Sequence, residues 1–458
     1  MQRFSLYQRL LSWLDRSVLR QLRSDNVRTA TQLAIPFWIA SIATGLIAYL
    51  YEKGFSWAED VCREWLAGVP AMAFLITPVA FLLAWGLVYY LAPGARGSGI
   101  PQVMAALDLA NPGHDHKVGY LVGIKVAVVK IISSILLLLG GGIIGREGPT
   151  IQIGASVFRW IAHWQPKNWP QLSRKVVLVT GGAAGLAAAF NTPLGGIVFV
   201  VEELTRTHIT HFRTPVFTAV IIAGMTAQAF LGPYLYLGYP PVSPTGISFL
   251  GIASVTAACA GLAGAVFAKL LDKINSYRKR WSSTSGQVGW VFTCGLLFAG
   301  LIFLFGLDAM GTGKPLINRL LFNPFSHVAW YIFPVRLAGM VLSYSSGAAG
   351  GVFATSLSAG AILGKLLAGW LHVAPAHTTM VILVAMVSFL TGVARSPFTA
   401  TILVVEMTDR NMVIFPLLVG ALVAQLVATL VDSRSLYERS KSTFFAEALQ
   451  QPGAPAPV

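Results

Sequence analysis

The stretch LGGGIIGREGPTIQIGA, residues 139–155, follows an apolar run at 131–139 and sets Arg146 beside Glu147. Gly140, Gly141, Gly142, Gly145, Gly148 and Gly154 surround the pair. An ionised side chain at the centre of a membrane helix costs roughly 2.5–3.5 kcal/mol on insertion scales, so such a residue lies near a water-filled path or a partner. The glycines indicate that backbone turns sharply or approaches something small. Pro149 falls in the first turn of the next helix, where its missing N–H does no harm. A helix starting there aims unpaired N–H groups and a partial positive charge at whatever precedes it. An anion fits that position.

Composition places the rest of the chain in lipid. Hydrophobic residues make up 55% of the 458 residues and charged residues 11%, with a mean hydropathy of +0.67. A soluble domain carries about 25% charged residues. Apolar runs long enough to cross a bilayer recur between residues 31 and 431. Residues 1–28 carry six arginines and two aspartates, too polar for a signal-peptide core. Leu6, Leu10, Leu11, Leu14, Val18 and Leu19 recur at helical spacing, which predicts a cytoplasmic amphipathic helix. The net charge of +15 would raise nucleic-acid binding in a soluble protein. Here the cations cluster in connecting segments, 163–175 and 269–280, which the positive-inside rule assigns to the cytoplasm. Residues 52–64, acidic on balance, read as an external loop. Cys62, Cys259 and Cys294 are far apart and form neither a disulfide framework nor a metal cage. His208 and His211 read as a solvated loop rather than ligands.

Internal repetition organises the spans. NTPLGGIVFVVEEL from Asn191 and RSPFTATILVVEMT from Arg395 both place a glutamate nine residues after a proline, Glu202 after Pro193 and Glu406 after Pro397. GREGPTIQIGA from Gly145 and GVFATSLSAGA from Gly351 share their glycine spacing. The offsets, 204 and 206 residues, agree. Short, Gly/Pro-broken helices at corresponding places in two halves mark a transporter with a midplane site. The expected boundaries are 29–235 and 246–432 for two transmembrane repeats, with a short polar tail at 433–458.

Three Gly-rich breaks, at 97–101, 145–149 and 350–355, are expected to meet. Each offers free N–H groups at a helix start, and Ser98 adds a hydroxyl. Such partial charges suit an ion that must also leave. As an anion, Glu147 competes for the same place and opens the path when protonated. Glu202 and Glu203 either supply a second titratable group, which proton exchange requires, or cap a helix end. Gly311-Thr312-Gly313-Lys314 lacks the full spacing of a phosphate loop. A hydrolase built on Ser98 or Ser346 finds no histidine and aspartate to activate it.

GSGIP at 97–101, GREGP at 145–149 and GGVFAT at 350–355 resemble the three signature loops of the CLC family of chloride channels and chloride/proton antiporters. FNTPLGGIVFVVEE and Leu436-Tyr437 fit as well, so the resemblance spans about residues 31–437. It implies an all-α, multi-pass membrane protein of tilted and broken helices in two inverted repeats. The resemblance is to the prokaryotic type, without C-terminal CBS domains, and implies a place in the cell inner membrane. The implied partners are chloride, protons, membrane lipid and a second copy in a homodimer with one pathway per subunit. Neither nucleic acid nor a metal or other cofactor is expected. Carried over by position, Ser98 and Tyr437 line the anion site, the N–H groups of Val352 and Phe353 complete it, and Gly99, Ile100 and Gly148 belong to the same set. Glu147 becomes the external gate and proton-transfer residue, and Glu203 the internal proton-transfer residue that antiporters have and channels usually lack. Two positions depart from the pattern. Thr355 replaces a proline, freeing an N–H and adding a hydroxyl that bears on selectivity. Gln102 replaces a glutamate, a change expected to be inconsequential. Ser98, where other members have proline, favours chloride over nitrate. The implied function is voltage-dependent chloride/proton antiport, with a passive chloride channel on the same scaffold as the alternative.

Overall fold

The computed structural model describes residues 25–111, 113–205, 213–232, 235–244, 246–281, 283–323 and 325–451. The first half comprises α1 Asp25–Gly68, α2 Ala73–Leu91, α3 Ile100–Leu109, α4 Asp115–Leu121, α5 Ile124–Leu139, α6 Glu147–His163, α7 Arg174–Phe190 and α8 Pro193–Phe199, then a π-helical turn, Val200–Thr205, and α9 Arg213–Leu231. The second comprises α10 Phe249–Arg278, α11 Thr284–Phe305, α12 Lys314–Phe322, α13 Ile332–Ser345, α14 Phe353–Trp370, α15 Pro375–Ala394, α16 Pro397–Thr408, α17 Ile414–Val431 and α18 Leu436–Gln450. Extended pairing among the described residues is confined to two isolated bridges, Gly97–Ala349 and Gly145–Gly351. Eight helical stretches among them are long and apolar enough to span a bilayer. The chain is a multi-pass membrane protein.

The broken helices have local causes. Proline stands at the first or second position of α3, α8, α12, α15 and α16, where its fixed φ favours a helix start. Two long helices end in the left-handed region on residues other than glycine: α7 at Asn191 (φ 56°) and α15 at Arg395 (φ 63°). In both places one residue follows, then the proline that opens the next short helix.

Burial is graded. The most apolar window of α15 is 89% buried, against 33–56% for the other seven spans, so α15 is wrapped by protein rather than lipid. Its neighbours are α10, α14, α16 and α17. In the first half α7 takes the equivalent place, buried from Val176 to Phe190 and packed on α6. A Cβ at Gly154 would strike the Gly181 carbonyl, and one at Gly181 the Gly154 carbonyl. Helices in lipid associate through such close packing.

Three expectations are corrected here. Residues 52–64 form no loop, because α1 runs unbroken for 44 residues through them. Glu52 and Glu59 are held inside the protein by Arg146 and Thr312, whereas Asp60 and Glu64 stay exposed. The expected polar tail is largely helical. α18 buries Leu436, Tyr437, Phe444 and Ala448, and starts with a capping box in which Ser435 Oγ accepts from the Glu438 N–H and Glu438 Oε2 from the Ser435 N–H. The basic segment 269–280 is mostly the last turns of α10. The surface helix expected at 1–28 lies outside the described residues up to 24, and residues 25–28 already belong to α1. His208, His211 and residues 452–458 also lie outside them.

Candidate functional site

Backbone hydrogen bonds bring the three glycine-rich loops together. Gly97 N–H donates to Ala348 O at 2.8 Å, and Gly350 N–H donates back to Gly97 O at 3.0 Å. Gly145 and Gly351 exchange N–H···O bonds of 2.7 and 2.8 Å. Lys130, fully buried on α5, donates to Gly97 O at 2.9 Å. These ties bring the N-termini of α3, α6 and α14 into one region. Unpaired N–H groups and the positive ends of helix dipoles converge there, which is an anion-binding arrangement.

The side chains expected at this point are present and buried. Ser98 is 1% exposed and Tyr437 1%, and neither hydroxyl has a hydrogen-bond partner. The two hydroxyls lie beside each other, close enough to interact. Two orphaned hydroxyls in one pocket each cost about 1–3 kcal/mol unless a ligand accepts from them. Gly148 lies against Ser98, and a Cβ there would run into Ser98 Oγ. Ile100 is the first residue of α3, Val352 the N-cap of α14 and Phe353 its first residue. The carboxylate of Glu147 folds back over Gly145 and faces the Ala354 N–H, with Oε2 otherwise unpartnered. The Glu147 carboxyl group thus lies at the start of α14. Thr355 carries a further buried hydroxyl without a partner in the first turn of α14.

Several assignments change. Gly99 gives its N–H to Gln102 Oε1 at 3.0 Å, so that donor is not available to an anion. Gln102, expected to be inconsequential, also donates through Nε2 to Arg96 O at 2.5 Å and Gly94 O at 3.2 Å. It braces the first loop as a neutral side chain with both donor and acceptor, which a carboxylate cannot do. Arg146 does not pair with Glu147. It forms its ion pair with Glu52 of α1, the two side chains being 5% and 12% exposed. The phosphate-loop reading of residues 311–314 fails for a physical reason: Glu59 accepts from Thr312 N–H at 3.1 Å and Oγ1 at 2.8 Å, filling the place an anion would take. Ser346 donates to Ser343 O at 2.7 Å and accepts from Ala348 N–H, a loop brace with no base beside it.

The paired acids divide their work. Glu202 caps α16, accepting from the N–H groups of Phe398 at 3.1 Å and Thr399 at 2.6 Å and from Thr399 Oγ1 at 2.7 Å. Glu406 returns the contact, accepting from Leu194 and Gly195 N–H at the start of α8 at 3.0 and 2.8 Å. Glu203 points to a different partner. Ser396 Oγ donates to its Oε2 at 2.7 Å. Ser396 occupies the N-cap of α16 yet makes no side-chain cap, because Glu202 already serves that helix. Nothing in the sequence pattern signalled Ser396.

Two cavities reach this region. One of about 570 Å³ is lined by Met104, Asp108, Glu203, Glu438, Lys441 and Phe445, with Lys441 and Asp108 paired at 2.6 Å across it. The other, of about 340 Å³, touches Gly97, Tyr344 and Gly347 and carries Arg96, Arg278 and Lys279. Arg96 is engaged by Glu447 at 2.7 and 2.8 Å and stacks over Phe444. The acid-lined cavity therefore meets Glu203, and the more basic one, whose three cations outnumber Asp272 and Glu447, meets the Ser98 loop. Asp432, just before α18, is held below the usual carboxylate range by the Arg434 N–H and the Arg439 guanidinium.

Comparison with known proteins agrees with this geometry. The family model described as voltage gated chloride channel matches residues 80–429. An H(+)/Cl(-) exchange transporter ClcA of Salmonella schwarzengrund is 32% identical over 97% of this chain and 96% of its own length. The crystal structure of a slow cyanobacterial Cl-/H+ antiporter superposes with a TM-score of 0.78 at 25% identity, covering 91% of this chain and 98% of that one. A eukaryotic CLC transporter shares the fold, with a TM-score of 0.72 at 21% identity over 93% of this chain and 76% of that one.

Proposed function

The chain belongs to the voltage gated chloride channel family, and from that premise we propose that it exchanges chloride for protons across the cell inner membrane. The observation that carries this reading is the Glu147 carboxylate facing the Ala354 N–H, in the same cradle as the orphaned hydroxyls of Ser98 and Tyr437. Chloride binds between those hydroxyls and the N–H groups that open α6 and α14. All the donors are partial charges, so the ion is held and released without a buried counter-ion. Ionised Glu147 competes with chloride for the same N–H groups. Once protonated it loses that advantage, swings aside and carries its proton with it. Glu203 exchanges protons with the acid-lined cavity, while chloride reaches Ser98 from the basic one. An anion moving one way and a proton the other transfer charge in the same direction, so transport responds to voltage. Relatives named for exchange support this reading over a passive channel.

The family resemblance implies a homodimer with one pathway in each copy. Cross-linking in the membrane should trap a dimer. The central test uses protein reconstituted in liposomes with chloride and pH electrodes. Wild-type protein should pump protons under a chloride gradient, and an imposed pH gradient should shift its reversal potential. Glu147→Gln and Glu203→Gln should each pass chloride while proton movement falls to background. A reversal potential indifferent to pH in the wild type would identify a channel instead. Loss of a purified hydrolytic activity in Ser98→Ala would revive the enzyme reading.

A further inference from the structure

Residues 148–201 contain no aspartate or glutamate, yet Arg159, His163, Lys167, Arg174 and Lys175 fall among them. The fold gathers the first four around a cavity of about 920 Å³, between the end of α6 and the starts of α5 and α7. Among the described residues, no acidic residue lines it. Arg159 donates to Val122 O at 3.2 Å, which fixes one cation in the wall. Gln165 Nε2 donates to Pro170 O at 2.5 Å and closes the α6–α7 connection into a rim. α6 starts at Glu147 and lines the cavity from Ser156 to His163, about 14–24 Å further along a helix rising 1.5 Å per residue, so this cavity lies apart from the transport site.

Two further features narrow the ligand. Trp160, 48% exposed, meets Trp164 edge-on with ring centroids 5.9 Å apart. Tryptophan concentrates at the level of lipid headgroups. From the cavity mouth along α5, Ile124, Val128 and Ile132 are exposed, four residues apart and so on one face of the helix. A soluble anion would account for the cations but not for an apolar stripe that begins among them. A molecule with a phosphate at one end and acyl chains at the other accounts for both. Basic pockets between helices on the cytoplasmic side suit such headgroups. The clustered cations place this one there.

We infer that this cavity binds an anionic phospholipid of the cytoplasmic leaflet, its phosphodiester among Arg159, Lys167 and Arg174 and its chains along the Ile124–Val128–Ile132 stripe of α5. The lipid would bridge α5, α6 and α7, the elements behind the gate, without entering the ion path.

The test is native mass spectrometry of the purified full-length protein, titrated with phosphatidylglycerol, with phosphatidylcholine, and with glycerophosphoglycerol, the same headgroup without chains. Phosphatidylglycerol should be retained at the lowest concentration, and glycerophosphoglycerol should fail to displace it. Each exposed cation removed should weaken retention about fivefold. The double variant Lys167→Ser, Arg174→Ser should therefore approach the phosphatidylcholine level while chloride flux stays at the wild-type rate. Lys167→Ser alone should give about a fivefold loss if the double variant does not fold. Equal retention of the two lipids by the wild type, or unchanged retention in Lys167→Ser, would overturn the proposal. Displacement by glycerophosphoglycerol as effective as by the lipid would make this a soluble-anion site and overturn it too.

Discussion

Ser396 shows how much one hydroxyl can decide. Serine at an N-cap usually serves the helix it opens, a contact worth about 1 kcal/mol. Here Glu202 takes that duty, and Ser396 Oγ donates to Glu203 Oε2 at 2.7 Å. Among the described residues, Asp108 of α3 and Glu438, Lys441 and Tyr437 of α18 face Glu203 from neighbouring elements, with Glu202 beside it in sequence. Arg395, next to Ser396, turns its guanidinium to the carbonyls of Gly392, Ala428 and Asp432. Ser396 is therefore a positioning residue for the proposed proton-transfer acid, and its donated bond favours the ionised form. A hydrogen bond to a charged group contributes about 1.5–3 kcal/mol, and one pH unit corresponds to about 1.4 kcal/mol. Ser396→Ala should raise the cytoplasmic pH at half-maximal proton coupling by about one unit, and Ser396→Thr should restore it. Flux measured against internal pH reads both. An unmoved midpoint in the alanine variant would reduce Ser396 to packing.

At the scale of elements, the two halves cap one another. Glu202 serves the start of α16 and Glu406 the start of α8, each nine residues after the proline that opens its own half's short helix. That spacing was legible in the sequence, as were the three glycine loops, because a proline start and a glycine turn leave local signatures. What was not legible was reach. Glu52 and Glu59 looked solvated because their partners, Arg146 and Thr312, lie far along the chain. α18 was missed although Ser435 and Glu438 spell a capping box, since its mixed polarity reads as a tail when the surface of α3 beneath it is not in view. The oversight matters because Tyr437 is in its first turn. Ser435→Ala removes one cap, costing about 1 kcal/mol, and should loosen Tyr437 with it. Calorimetry should show chloride binding weakened severalfold, with a small drop in melting temperature. Unchanged affinity at lowered stability would mean that Tyr437 is held by burial alone.

Across the whole molecule, α1 is a brace between the halves. Glu52 and Glu59 are seven residues apart, two helical turns, and so lie on one face about 10 Å from each other. Glu52 pairs with Arg146 at the N-cap of α6, in the first half. Glu59 binds Thr312 before α12, in the second. The two loops also touch directly, Gly311 N–H donating to Gly141 O at 2.9 Å, and Arg336 holds the carbonyls of Asp308, Met310 and Gly311 from the other side. The Glu147 loop is therefore fixed to a helix of the first half that also reaches into the second. Removing one partner of a buried ion pair leaves an uncompensated charge and costs about 3–5 kcal/mol. Glu52→Gln strands Arg146 and should lower the melting temperature of the solubilised protein sharply, with reduced chloride flux because Arg146 adjoins Glu147. Glu59→Gln keeps an acceptor for Thr312 and should cost less, about 1–2 kcal/mol. The acids have separate partners, so the double variant should lose about the sum of the two. A Glu52→Gln protein that melts and transports like the wild type would mean that the gate loop is set by its backbone bonds to Gly351 alone.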